Sequence, residues 1–261
     1  MKSSATRFRK QIAEGRVCVG TGVTLSDPAV SELFAEMGFD FVWIDMEHGP
    51  LDLRTVLGHI MAFRGSDTAP IVRVPCNDEN VIKPILDLAP AGIIVPMVNS
   101  PEEAAAAVRA SRYPPIGTRG YGPRRGPRFG MIDMEDYLAS STNEPMVIIQ
   151  IEHIDAVQRI DAIVATPGLD GICLGPNDLS GSMGKLGHPT DPNVVEQMDK
   201  VIHAVKQTEL MLGVSTGYAP DHFTRWIEKG IQWINLNVDW LNLRNGSKEI
   251  LHGARTILES L

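Results

Sequence analysis

Eight short apolar runs recur along the chain, each followed by a segment with helical periodicity or by a turn into one. Runs such as Gly92-Ile-Ile-Val-Pro96 and Met146-Val-Ile-Ile-Gln150 show no polar alternation. A strand that is apolar on both sides is covered on both sides, which is the habit of parallel sheets. The intervening segments carry helical stripes, for example Leu53, Val56, Leu57, Ile60 and Met61, then Val81, Ile82, Ile85 and Leu86. Helix starts are marked at Ser26-Asp27-Pro28 and at Ser100-Pro101-Glu102-Glu103, where a capping side chain, a fixed φ and early acids favour the first turn. The pattern predicts strands over residues 16–21, 39–44, 70–75, 92–97, 146–151, 171–174, 210–214 and 233–237. Eight such units fit a closed (β/α)8 barrel better than an open doubly wound sheet. The 261 residues suit a single barrel domain over 1–261. A basic amphipathic helix within residues 1–16 is expected to pack on the outside, and a further helix ends the chain.

Composition narrows the function classes. A net charge of -8 speaks against a nucleic-acid surface. No apolar run approaches the roughly 18 residues of a membrane span, and the basic N-terminus lacks the apolar stretch of a secretory signal. Cys18, Cys76 and Cys173 are widely spaced, so reduced thiols and a cytoplasmic location are expected, with no disulfide framework. Residues 112–131 are rich in Gly, Pro and Arg. Structureless segments of this length inside a compact domain are usually functional, yet this one lacks G-x-G-x-x-G and a Walker lysine, which excludes a nucleotide loop.

In a barrel of this kind the chemistry sits at the C-terminal ends of the strands. Those ends carry Asp45, Glu47 and His48 after strand two, Arg73 on strand three, Gln150 and Glu152 on strand five, and Asn177 and Asp178 after strand six. Ser215 follows on strand seven, with Asn235 and Asn237 on strand eight. Glu152 and Asp178 are two carboxylates without a thiolate or histidine cluster, a donor set for a hard divalent ion such as Mg²⁺ or Mn²⁺; Asp178 also fits a helix cap. His48 fits a general base or a structural loop histidine. Arg73 suits a carboxylate or a developing oxyanion, or an ion pair with Asp45 or Glu47. Asp87 ends an apolar helical face and fits either an orienting partner for His48 or an exposed acid.

The motifs Asp45-Met-Glu-His-Gly-Pro50, Val72-Arg-Val-Pro75, Val95-Pro-Met-Val98, Arg112-Tyr-Pro-Pro-x-Gly-x-Arg-Gly120, Gln150-Ile-Glu152 and Gly171-x-x-x-Gly-Pro-Asn-Asp-Leu-Ser180 resemble the HpcH/HpaI aldolase family, the metal-dependent class II pyruvate aldolases. The resemblance runs from about residue 19 to about 243. It implies a divalent metal (Mg²⁺, Mn²⁺ or Co²⁺) on Glu152 and Asp178. His48 is then the base, Asp87 its orienting carboxylate, and Arg73 the group that polarises the keto oxygen of pyruvate. Asp45 and Glu47 are expected to hold water on the metal, and amides near Asn177 and Asp178 to receive the pyruvate carboxylate beside Gln150. The segment Tyr121-Gly-Pro-Arg-Arg-Gly-Pro-Arg-Phe-Gly130 and Ser215-Thr216-Gly217 depart from the family pattern. Both are expected near the aldehyde, which makes Arg119 and Ser215 candidate substrate contacts; the Arg-rich segment fits either recruitment of an acidic or hydroxylated aldehyde or ion pairs with a neighbouring subunit. The family also implies a homo-oligomer, a hexamer with exchanged C-terminal helices, for which Ile250, Leu251, Ile257 and Leu258 are suited. Two other readings are a CoA-thioester lyase of the citrate and malyl lyase type, and a barrel that binds a 2-oxo acid without turning it over.

Overall fold

A computed structural model describes residues 3–261. Eight parallel strands close into a barrel in sequence order, with β1 pairing β8. The strands are β1 (Cys18–Val23), β2 (Phe41–Asp45), β3 (Ala69–Arg73), β4 (Gly92–Val95), β5 (Met146–Ile151), β6 (Gly171–Leu174), β7 (Met211–Thr216) and β8 (Trp233–Val238). The helices are α1 (Ser4–Ala13), α2 (Ala29–Glu36), α3 (Leu53–Ala62), α4 (Glu79–Asp87), α5 (Pro101–Ser111), α6 (Met134–Ser140), α7 (Ile154–Gln158), α8 (Ile160–Val164), α9 (Pro176–Ser182), α10 (Pro192–Val205), α11 (Pro220–Glu228) and α12 (Asp239–Glu259). The fold is therefore the α/β barrel that the apolar runs predicted. The expected helix after β5 is broken into α7 and α8 at Arg159, whose φ of -113° and ψ of 13° leave the helical region.

Strand residues that look uniformly apolar divide strictly between two cores, because successive side chains point to opposite faces. Val42, Ile44, Val72, Ile93, Val147, Ile149, Ile172, Leu212 and Ile234 join the layer between strands and helices. Phe41, Trp43, Ile71, Ile94, Met146, Ile148, Cys173, Met211 and Trp233 fill the barrel itself. Burying each large apolar side chain contributes about 1.5–3 kcal/mol.

The N-terminal end of the barrel is closed by α1. Ser3 caps this helix, its hydroxyl accepting from the Thr6 N–H at 3.0 Å. Ala5, Phe8 and Ile12 lie on one face and are buried. Phe8 meets Phe41 edge-on at 5.5 Å between centroids and Trp233 at 6.5 Å. The N-terminal helix thus seals the barrel rather than lying along its outer wall; the first two residues of the expected segment are outside the described part. Cys18 and Cys173 are buried and Cys76 exposed, all unpaired. Among the described residues no helix is long and apolar enough to cross a membrane.

Candidate active site

The alternation that packs the barrel also builds its rim. On β2 the inward positions read Phe41, Trp43, Asp45; on β3 Ala69, Ile71, Arg73; on β5 Met146, Ile148, Gln150; on β8 Trp233, Asn235. The third layer is polar where the lower ones are apolar. Strand register then pairs the polar groups. Asp45 lies opposite Arg73, and Ser215 opposite Asn235.

Arg73 is buried and held on two sides. Its Nε donates to Asp45 Oδ1 at 2.9 Å, its Nη2 donates to Asp45 Oδ2, and its Nη1 stands 2.8 Å from Glu47 Oε2. The guanidinium carbon is 5.1 Å from the centre of the Trp43 ring, which forms the floor beneath it. Burial opposes its charge, but the Asp45 hydrogen bond and the charges of Asp45, Glu47 and Glu152 more than offset this and raise its pKa. Both readings of Arg73 as an ion-pair partner are therefore realised. Asp45 also binds the turn that follows it, accepting from the N–H groups of Glu47 at 3.0 Å and His48 at 3.3 Å. That leaves Asp45 occupied with Arg73 and the turn. His48 is mostly exposed, with Nε2 3.7 Å from Glu47 Oε2.

Glu152 is 2% exposed. Its Oε1 accepts from the Met97 N–H at 2.8 Å and its Oε2 from the Gln150 amide. Burial pushes its pKa up to about 7, against the Met97 hydrogen bond, and the charges of Asp178 and Glu47 push the same way. The Glu47 carboxyl is raised as well, first by burial and further by Asp45 and Asp178, while Arg73 and His48 oppose the rise. Asp178 sits exposed in the first turn of α9. The cap position of that helix is Gly175, with no side-chain cap, so Asp178 is not used as one.

Asp45, Glu47 and Glu152 thus act on one guanidinium, and Asp178 adds its charge to Glu47 and Glu152. The rim atoms left buried without a hydrogen bond are acceptors: Glu47 Oε2, Gln150 Oε1 and Asn235 Oδ1. Surplus carboxylate charge with unmatched acceptors fits a cation. Among the described residues no group of three or more His, Cys, Asp or Glu side chains forms a metal cage. Two carboxylates with open positions suit an ion such as Mg²⁺, which keeps several waters.

Two positions near Glu152 escaped the reading of side chains because they act through the backbone. Met97 adopts φ of 53° and so aims its N–H at Glu152; non-glycine residues in such regions cost on the order of 1–3 kcal/mol. Gly175 lets the chain pass close, since a Cβ there would lie 2.6 Å from both Cβ and Oε2 of Glu152. The Gly-Pro pair before Asn177 was the available signal.

Two expectations are not met within the chain. Asp87 does not pair with His48: it ends α4 near the N-terminal side of the barrel, and its Oδ1 accepts from Arg119 Nη2 at 2.8 Å. The Arg-rich segment is also remote from its own rim. Arg119 is buried against the Tyr113 ring at 4.5 Å. Arg125, Arg128 and Phe129 line a cavity of about 1030 Å³ with Pro70, Ala91 and Pro145, which lie at the N-terminal ends of strands. Ser215 is at the rim, its Oγ accepting from Asn235 Nδ2 at 3.0 Å.

Residues 20–245 match the HpcH/HpaI aldolase/citrate lyase family. A hydroxypyruvate/pyruvate aldolase of Roseobacter denitrificans is 34% identical over 216 residues, covering 83% of this chain and 84% of that one. A 5-keto-4-deoxy-D-glucarate aldolase of Salmonella arizonae is 39% identical over 201 residues, covering 77% and 78%. The crystal structure of an HpcH/HpaI aldolase from Desulfitobacterium hafniense superposes with a TM-score of 0.88 at 29% identity, over 95% of each chain. The fold, the rim and these relatives agree: the chain belongs to the HpcH/HpaI aldolase/citrate lyase family and is a carbon–carbon lyase.

Proposed function

We propose that this chain is a divalent-metal-dependent aldolase that joins or cleaves pyruvate and an aldehyde, with 2-oxo-4-hydroxy acids as the joined form. The observation that carries this reading is the buried Glu152, with Asp178 and the fixed Arg73 guanidinium on the same rim. Glu152 and Asp178 would hold the cation. When bound, Mg²⁺, Mn²⁺ or Co²⁺ supplies positive charge where the keto oxygen gains electron density. Arg73 shares that oxygen, and its ties to Asp45 and Glu47 mean that little reorganisation accompanies the reaction. First-turn N–H groups of α9, at Asn177 and Asp178, have no partners within the helix and suit the pyruvate carboxylate. Gln150 orients Glu152 from the side.

His48 takes a proton from the methyl carbon of pyruvate; the resulting carbon nucleophile adds to the aldehyde carbon, the C=O π bond opens and its oxygen takes up a proton from solvent to become the hydroxyl. In the cleavage direction the hydroxyl gives up its proton to solvent, the C–C bond breaks, and the same imidazole returns a proton to the methyl carbon of pyruvate. Its exposed side chain leaves room for both reactants above the rim. Ser215 and Asn235 offer hydrogen bonds to the aldehyde end.

The exposed apolar residues Leu243, Ile250, Leu251, Ile257 and Leu258 on α12 support a homo-oligomer in which this helix packs on a second copy, with a hexamer as the expected assembly. Unpaired cysteines support a cytoplasmic site of action.

A panel of hydroxy-oxo acids, coupled to lactate dehydrogenase, tests the reading. Pyruvate release should stop in a chelator and return with Mg²⁺, Mn²⁺ or Co²⁺. Undiminished turnover in the chelator would sink it.

A further inference from the structure

Asp239 is the first residue of α12 and is 3% exposed. Among the described residues no cationic side chain pairs with it. Its carboxylate instead gathers hydrogen-bond donors from the loop after β1. Oδ2 accepts from the N–H groups of Thr24 at 2.8 Å and Leu25 at 2.7 Å, and Oδ1 accepts from the Thr24 hydroxyl at 2.9 Å. Oδ1 also accepts from the N–H of Trp240 at 2.8 Å. Hydrogen bonds to an ionised acceptor are roughly twice as strong as neutral ones, so this set fixes Thr24 firmly.

Thr24 in turn borders the turn that carries His48. A Cβ built on Gly49 would lie 3.4 Å from both Cβ and Cγ2 of Thr24, and 2.5 Å from the carbonyl oxygen of Asp45. The face of Gly49 on which a Cβ would stand is therefore filled by the Asp45 carbonyl and the Thr24 side chain. The N–H of His48 is already tied to the Asp45 side chain. The His48 turn is thus held by Asp45 through this N–H and packed at Gly49 by Thr24, which Asp239 anchors.

We propose that Asp239 is a positioning residue for His48, setting the place of the imidazole through Thr24 and Gly49. Asp239 touches neither substrate nor cation. The proposal rests on the reading of His48 as the proton-transfer group. A base acts only within hydrogen-bond reach of its proton, and a misplacement of about 1 Å can cost about a hundredfold in rate. Because Asp239 opens α12, the seating of that helix and the position of the base are set by one carboxylate.

The test is exchange of the pyruvate methyl protons in D2O, followed by NMR on the metal-loaded protein without an aldehyde. This isolates the proton transfer. Asp239→Asn keeps the shape but puts an NH2 group where the carboxylate accepts. It should slow exchange about tenfold and leave the KM for pyruvate within about twofold. Thr24→Val keeps the wall against Gly49 and loses the hydroxyl bond to Asp239; it should slow exchange about threefold. In a His48→Ala protein supplied with free imidazole the base is no longer tethered, so adding Asp239→Asn should change nothing further. Wild-type exchange in Asp239→Asn overturns the proposal, as does an equal loss in the imidazole-supplied background. If Asp239→Asn does not fold, Thr24→Val carries the same comparison against His48→Ala. Wild-type exchange in His48→Ala alone is a different failure: it removes the base assignment itself.

Discussion

At its N-terminal end the barrel interior holds Phe41 and Trp233 against Phe8 of α1, with Phe41 and Trp233 edge-on at 5.5 Å. At its C-terminal end the same inward positions hold Asp45, Arg73, Gln150, Ser215 and Asn235. The two ends share strands, register and alternation, and they differ in what their groups do for one another. Below, each ring adds apolar burial and edge-to-face contact to its neighbours. Above, three acids bear on one guanidinium with Asp178 beside them, and burial raises two of them, Glu47 and Glu152. Stability is stored at one end, and the other end is kept in electrostatic tension that a cation would relieve.

This contrast can be broken deliberately. The largest effect is expected from Glu152→Gln, which removes a charge proposed to hold the cation. Pyruvate release should fall by about 1000-fold or more at saturating metal, since several kcal/mol of charge stabilisation go with it; steady-state kinetics with and without excess Mn²⁺ would measure this. Next comes Phe8→Ala, at the opposite end. Urea unfolding should show a loss of about 3–5 kcal/mol, while turnover per folded molecule stays near the wild-type value. If Phe8→Ala instead cuts turnover of the folded fraction as deeply as Glu152→Gln, the two ends are not separate in function.

The smallest effect concerns pH. Glu152 has its folded pKa raised from 4.5 to about 7. Its contribution to stability is therefore complete below the unfolded value and is lost as pH rises through about 7. In the metal-free protein Glu152→Gln should then stabilise the fold at about pH 8, on the order of 1–3 kcal/mol, with no gain near pH 4. Thermal unfolding in a chelator at the two pH values would show it. Equal shifts at both would mean that the gain has nothing to do with ionisation. The variant that abolishes activity is thus expected to make the metal-free chain more stable.

The same contrast explains what could be read in the sequence. The barrel was legible because parallel strands buried on both sides write themselves as continuous apolar runs such as Ile93-Ile94-Val95. The rim was legible because a charged residue ending such a run, Asp45 or Arg73, has nowhere else to go. Relations between distant segments were not. Asp87 on an apolar helix looked like a partner for His48, but the direction of α4 carries it towards the other end of the barrel, where Arg119 is waiting. The Arg-rich segment resembled a substrate loop, yet its course depends on packing against residues that precede the strands. The N–H of Met97 became a ligand for Glu152 through a positive φ that a methionine side chain does not advertise.

Closure by β1 and β8 sets an order of events during synthesis. Cys18 and Trp233 are register partners, so the free edge of β1 emerges long before its neighbour. At about 5–20 residues per second, that edge waits about ten seconds or longer. An unpaired strand edge is a template for wrong pairing, and α1, already made, has only half of its aromatic seat until Trp233 arrives. Asp239 follows directly after β8 and ties down the first loop of the barrel. The ribosome thus delivers the clasp after all eight strands. A chain cut short before β8 would carry Arg73, Glu152 and Asp178 but leave the ring open.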